Sequence, residues 1–127
     1  MASADQLVYL NGQFLPLAEA RIPVLDRGFL FGDGIYEVIP VYCGKPLRLE
    51  EHLRRLERSL AEIRMPSPLS DAEWSSIFSR LITGIGDQYL YLQVTRGADS
   101  RRDHAIPAGI PATVFVKIGR ASCRERV

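Results

Sequence analysis

The stretch from Asp26 to Ser59, DRGFLFGDGIYEVIPVYCGKPLRLEEHLRRLERS, constrains the fold more than any other part of this sequence. It divides into a glycine-punctuated turn, an alternating strand and an amphipathic helix. Gly28, Gly32 and Gly34 crowd too closely for a regular element, so the turn is expected to be a loop with backbone conformations closed to other residues. From Ile35 to Cys43 the side chains alternate. Ile35, Glu37, Ile39 and Val41 share one face, and Tyr36, Val38, Pro40 and Tyr42 the other. Both faces are partly apolar, as in a strand covered on two sides. Gly44-Lys45 is expected to turn the chain into a short strand, Pro46 to Leu49. A helix then opens near Glu50, its stripe made by Leu49, Leu53, Leu56, Leu60 and Ile63, and Pro66 and Pro68 stop it.

The flanking segments are of the same kind. Leu7 to Leu10 and Gln13 to Leu15, joined by Asn11-Gly12, predict a hairpin closed by a type I′ turn. Glu19 to Leu25 reads as a connection and short strand, with Pro23 placing it at an edge. Ser70-Asp71-Ala72-Glu73 is a capping box for a second helix carrying Trp74, Ile77, Phe78, Leu81, Ile82 and Ile85, which Gly84 and Gly86 end. Gln88 to Thr95 and Ala112 to Lys117 predict two more strands. The intervening RGADSRRDHAIPAGIP is long enough to be a functional loop. Strands, two helices and strands again imply an α+β domain, an antiparallel sheet with two helices packed on one face.

Composition narrows the partners. With 127 residues, 24% charged residues and a net charge of +1, bulk charge points to neither a nucleic acid nor a membrane. MASADQ lacks the basic-then-apolar character of a signal peptide, and Cys43 and Cys123 make no disulfide framework, so a cytoplasmic protein is the expectation. The C-terminus is out of keeping with the rest. IGRASCRERV, with three arginines in the last eight residues, can be written in codons that look like a common sequencing adapter read in frame. Residues 118–127 are therefore expected to be a non-native tail on a domain of residues 1–117, although a basic tail would read similarly.

Three groups of residues could carry chemistry. Arg55 lies on the flank of the leucine stripe, on one side with His52 and Ser59, where its planar fork can meet a phosphate or simply remain in solvent. Tyr36 starts the strand after the glycine turn, and its phenol can donate to a carboxylate or be half-buried in the core. Arg102 and His104, two apart in the long loop, can clamp an anion or belong to an ordinary polar loop. Glu37 and Asp33 read as structural acids bonded to turn amides, and His52 as capping the stripe or bonding across to the loop opposite. Cys43 has no basic neighbour beyond Lys45 that would make it reactive. No metal-ligand spacing and no phosphate-binding P-loop is present in the sequence.

Two long motifs in order, Arg27-Gly28-Phe29-Leu30-Phe31-Gly32-Asp33-Gly34-Ile35-Tyr36-Glu37 and Glu51-His52-Leu53-Arg54-Arg55-Leu56, resemble the class IV (fold-type IV) pyridoxal-phosphate aminotransferases. The resemblance covers nearly all of Leu7 to Lys117, corresponding to the small N-terminal domain of that fold. It implies that Arg55 binds the phosphate of pyridoxal 5′-phosphate and that Tyr36 helps hold a substrate carboxylate. Gln93-Val94-Thr95-Arg96-Gly97, followed by Arg102-x-His104, is similar to the D-amino acid branch, where the arginine and histidine trap the α-carboxylate from the neighbouring subunit. The loop is one residue longer here, which leaves Arg101 open as the clamp arginine. The implied reaction moves an amino group from a D-amino acid to a 2-oxo acid in a homodimer. A branched-chain transaminase or an aminodeoxychorismate lyase is the alternative within the family, and a non-catalytic binding module the alternative outside it. The sequence has two lysines, Lys45 and Lys117, and neither matches the family's cofactor-holding lysine, which lies downstream in a larger second domain. The chain by itself is accordingly expected to be inactive.

Overall fold

Two tight turns bound the sheet. The computed structural model describes residues 6–84 and 86–121, and in it β1 (Leu7–Leu10) and β2 (Gln13–Pro16) pair through Asn11 at φ 49° and Gly12 at φ 93°, the left-handed pair that a type I′ turn requires. The second turn joins β3 (Gly34–Tyr42) to β4 (Lys45–Pro46). Its left-handed residues are Cys43 and Gly44, so the turn falls one residue earlier than Gly44-Lys45. The expected strand from Pro46 to Leu49 is short for the same reason, because the helix has already begun at Leu49.

That helix, α2 (Leu49–Glu62), buries Leu53, Leu56 and Leu60, with Leu49 and Ile63 packed at the margin of the core. It stops before Pro66. Arg64 turns left-handed at φ 59° and Met65 N–H donates to the Leu60 carbonyl, a Schellman-type closure. α3 (Asp71–Leu81) opens on the complete capping box of Ser70 and Glu73. It ends earlier than Gly84, with Ile82 already extended, and Ile85 lies outside the described residues. β5 (Gln88–Thr95) and β6 (Thr113–Arg120) complete a six-stranded antiparallel sheet in the order β2-β1-β6-β5-β3-β4. α2 and α3 cover one face of the sheet, and Ile39, Val41, Leu90, Leu92, Val94, Val116 and Ile118 meet Leu56, Leu60, Trp74 and Phe78 in a single core. Each such side chain contributes about 1.5–3 kcal/mol by leaving water. The α+β architecture with helices on one face is as the pattern predicts.

Four expectations change. The glycine segment is not wholly a loop, because Arg27–Phe31 form a short helix, α1, capped by Asp26 and ended by Gly32 at φ 65°. Residues 20–25 form no strand. After a 3-10 turn at Leu17–Glu19 the chain makes a turn in which Asp26 N–H donates to the Pro23 carbonyl, and Leu17 and Ile22 line a cleft together with Leu10 and Phe115. β3 is covered by helices on one side alone within the described residues, leaving Tyr36, Val38 and Tyr42 exposed on the other. Finally β6 does not stop at Lys117: Ile118, Gly119 and Arg120 pair with Leu90, Tyr89 and Gln88. Cys123 and the rest of residues 122–127 lie outside the described residues, as does the start of the chain, residues 1–5. No helix among the described residues is long and apolar enough to cross a membrane.

Candidate functional site

The site is built around the junction between α1 and β3. Asp26, fully buried, accepts from Gly28 N–H at 2.8 Å and from the Thr113 hydroxyl at 2.6 Å, which ties the start of α1 to β6. Arg27 N–H donates to the Gly97 carbonyl at 2.8 Å, joining α1 to the root of the long loop. At Gly34 a Cβ would sit 2.6 Å from the Val94 carbonyl oxygen, so the first residue of β3 can press against β5 because it has no side chain. This close seating fixes where Tyr36 and Glu37 point.

Tyr36 points from the open face of the sheet, 65% exposed, and stacks on Tyr91 with ring centroids 5.9 Å apart. The Tyr91 hydroxyl donates to Gln93 Oε1 at 3.0 Å. Burial pushes the Tyr91 phenol up from its ordinary pKa, and the neighbouring Tyr36 adds to the shift. Glu37 points the other way, 4% exposed, and is met by two side chains from α2. His52 Nδ1 lies 2.8 Å from Glu37 Oε1, and Arg55 donates through Nε to both carboxylate oxygens at 3.1 Å and through Nη2 to Oε1 at 2.5 Å. The hydrogen bonds and charge of Glu37 raise the Arg55 pKa above its ordinary value. Glu37 therefore bonds His52 and Arg55 and not turn amides, and His52 bonds Glu37 and not the loop. Arg55 keeps its head 58% exposed, and its Nη1 makes no hydrogen bond among the described residues. A fork held from behind with one nitrogen facing water fits a phosphate ligand.

The long loop is anchored by a network that sequence reasoning missed. Arg27, 5% exposed, donates through Nε to Asp33 Oδ2 at 2.9 Å and through Nη1 to the Asp103 carbonyl at 2.7 Å. Arg96 donates through Nε to the same Asp33 oxygen at 2.7 Å and through Nη2 to the Ile63 carbonyl at 2.6 Å. Burial opposes ionisation of Asp33, but the hydrogen bonds from Arg96 and Arg27 outweigh it and hold the carboxyl below the usual aspartate range. Residues 33 and 96 are too far apart for any periodic signal to link them. Arg102 and His104, both exposed, come together on the Phe31 ring, the Arg102 guanidinium 4.9 Å and the His104 ring 5.2 Å from its centroid.

The predicted site residues thus fall into separate groups. Arg102 and His104 share the Phe31 ring, whereas no hydrogen bond or ring contact among the described residues joins them to Tyr36 or Arg55. Clefts of about 980 and 510 Å³ are lined by none of the four. Lys45 is exposed in a hairpin, and Lys117 lies with Nζ 5.8 Å from the Tyr89 ring on the open face. Cys43 is a free, exposed thiol. Among the described residues no three His, Cys, Asp or Glu side chains are grouped to hold a metal ion.

Comparison with known proteins bears on the family and the fold. The sequence model of the Amino-transferase class IV family matches residues 34–119. The chain is 42% identical over 109 residues to a D-alanine aminotransferase of Bacillus licheniformis, covering 84% of this chain and 38% of that protein. It is 38% identical over 106 residues to the D-alanine aminotransferase of Listeria monocytogenes serotype 1/2a (strain 10403S), covering 82% of this chain and 37% of that one. Among solved structures, a T.th. branched-chain amino acid aminotransferase with pyridoxamine 5′-phosphate superposes with a TM-score of 0.80 at 26% identity, covering 94% of this chain and 41% of that one. The 4-amino-4-deoxychorismate lyase from Pseudomonas aeruginosa does so with a TM-score of 0.72 at 30% identity, covering 90% and 40%. The chain spans less than two fifths of the length of the curated relatives it matches.

Proposed function

The chain belongs to the class IV aminotransferase family, and from that premise we propose that it is the N-terminal part of an enzyme that moves an amino group from a D-amino acid to a 2-oxo acid. The observation that carries the D-specific reading is that Arg102 and His104 both meet the one ring of Phe31, which gathers two donors for a carboxylate at one place on the loop. The D-alanine aminotransferase relatives support the same choice.

The cofactor of this family is pyridoxal 5′-phosphate, which when bound supplies an electron sink for negative charge at the substrate α-carbon. Arg55, backed by Glu37 and His52, binds the phosphate through the donor it leaves to solvent. Tyr36 donates its phenol to the substrate carboxylate from the open face of the sheet. Arg102 and His104 serve the site of a second subunit, so the working enzyme is a homodimer, and Tyr36, Val38 and Tyr42 are covered by the remainder of the protein. The lysine that holds the cofactor belongs to a larger second domain, and this chain alone is inactive. The amino acid and the 2-oxo acid are its small-molecule partners, and the enzyme works in the cytoplasm.

The test is made on the full-length protein carrying this chain. Arg102→Leu is expected to abolish the preference for D-alanine over L-amino acids, and unchanged stereochemistry would sink the D-specific reading. The second reading, a branched-chain transaminase or a lyase, is favoured by the two superpositions above, and L-leucine or 4-amino-4-deoxychorismate as the better substrate would establish it. If full-length protein given pyridoxal phosphate develops no visible absorbance band, the enzyme reading gives way to a non-catalytic binding module.

A further inference from the structure

We propose that Phe31, with Arg27 beneath the loop, is the positioning platform that holds Arg102 and His104 in one orientation. This rests on the reading of those two residues as a carboxylate clamp.

Residues 100–106 are exposed, and the side-chain hydrogen bonds to their backbone from within the loop are short-range turn contacts, Asp99 Oδ1 accepting from Ser100 N–H and Asp103 Oδ1 from Ala105 N–H. Such a segment does not set the direction of an arginine by itself. What sets it comes from α1. The Arg27 guanidinium donates to the carbonyls of Asp103 at 2.7 Å and Ala105 at 3.4 Å, the two residues that flank His104. Arg27 is in turn held by Asp33, so the backbone on both sides of His104 is pinned to a buried ion pair.

The side chains are oriented by the ring. Phe31 has three groups around it: the Arg27 guanidinium 4.7 Å from the centroid, the Arg102 guanidinium at 4.9 Å, and the His104 ring at 5.2 Å, tilted by 48°. A π face attracts a cation without using any of its N–H donors. Arg102 can therefore rest on Phe31 and keep its whole fork for a carboxylate. An acidic side chain in the same place would order the arginine equally well but take part of its fork, as Glu37 takes Nε and Nη2 of Arg55. Holding the two side chains before substrate arrives removes an ordering loss that binding would otherwise incur. Phe31 and Arg27 act on substrate only through Arg102 and His104.

The experiment compares full-length Phe31→Leu, Phe31→Tyr and Arg102→Leu, with D-alanine as substrate and propionate as a competitive carboxylate that lacks the amine. Loss of the ring face in Phe31→Leu is expected to raise both KM and the propionate inhibition constant by about 3- to 30-fold, the span of one cation–π contact. kcat stays within about twofold, affinity for pyridoxal phosphate is unchanged, and Phe31→Tyr recovers the wild-type constants. The platform is refuted if Phe31→Leu leaves both constants unchanged while Arg102→Leu raises them. It is refuted equally if Phe31→Leu lowers kcat and cofactor affinity together, with no recovery in Phe31→Tyr, which is the mark of general damage. If Arg102→Leu itself leaves both constants unchanged, the clamp reading fails first and the platform with it.

Discussion

Replacing Asp33 by asparagine tests the network that ties the long loop to α1. Asp33 Oδ2 accepts from Arg27 at 2.9 Å and from Arg96 at 2.7 Å, and the three side chains are 14%, 6% and 10% exposed. An exposed ion pair contributes about 0–1 kcal/mol, whereas breaking a buried one by removing a single partner costs about 3–5 kcal/mol, because the remaining charge is left uncompensated. Asparagine keeps the shape and one acceptor oxygen, and both arginines retain a backbone carbonyl, Asp103 for one and Ile63 for the other. The loss therefore falls at the low end, about 3 kcal/mol. Urea denaturation followed by fluorescence of Trp74, the sole tryptophan and 1% exposed, measures it. The midpoint should fall by about 1–3 M with unchanged slope. The acid limb provides a second check. The folded-state pKa of Asp33 is depressed, so its stabilisation is present above the ordinary aspartate value of 3.8 and is lost as pH falls through the lower folded value. The gap between wild type and variant should then close below about pH 3.8. A loss under about 1 kcal/mol at neutral pH, the range of surface pairs, would refute the reasoning.

Three further substitutions test other parts of the fold. Leu56→Ala, at a side chain 1% exposed in the middle of the α2 stripe, should lower stability by about 2–5 kcal/mol in the same urea titration. Ser70→Ala removes half of a complete capping box and should cost about 1 kcal/mol, with amide exchange accelerated first at Glu73 and Trp74. Gly97→Ala places a Cβ against the Pro111 carbonyl at a φ of 104°, and should cost about 2 kcal/mol or more by thermal denaturation, since either the left-handed backbone or the loop root must shift.

Much of the fold was legible along the chain because its signals are local. Asn-Gly calls for two left-handed residues wherever it occurs, the Ser70–Glu73 box closes on itself, and a leucine stripe at helical spacing must find a core. The motifs around Tyr36 and Arg55 likewise sufficed for the family and for the small N-terminal α+β domain. The glycine segment was misjudged because an aspartate cap at Asp26 and a left-handed close at Gly32 fit a helix of one turn, too short to show periodicity. The turn at Cys43-Gly44 was misplaced by one residue because cysteine rarely takes a positive φ unaided.

What the sequence determined by itself is the set of elements, their amphipathic faces and the kind of residue available for anion binding. Tertiary structure decided which of those residues stand together. Glu37 reaches Arg55 and His52 because β3 carries it beneath α2, and Asp33 joins Arg27 to Arg96 because β3 and β5 pair from Gly34 to Thr95. Arg102 and His104 share a ring because α1 places Phe31 under a loop some seventy residues further on. Periodicity reports the side chains one element presents to its own neighbours. Contacts between residues tens of positions apart depend on strand register and helix seating, and those are settled only when the whole core closes.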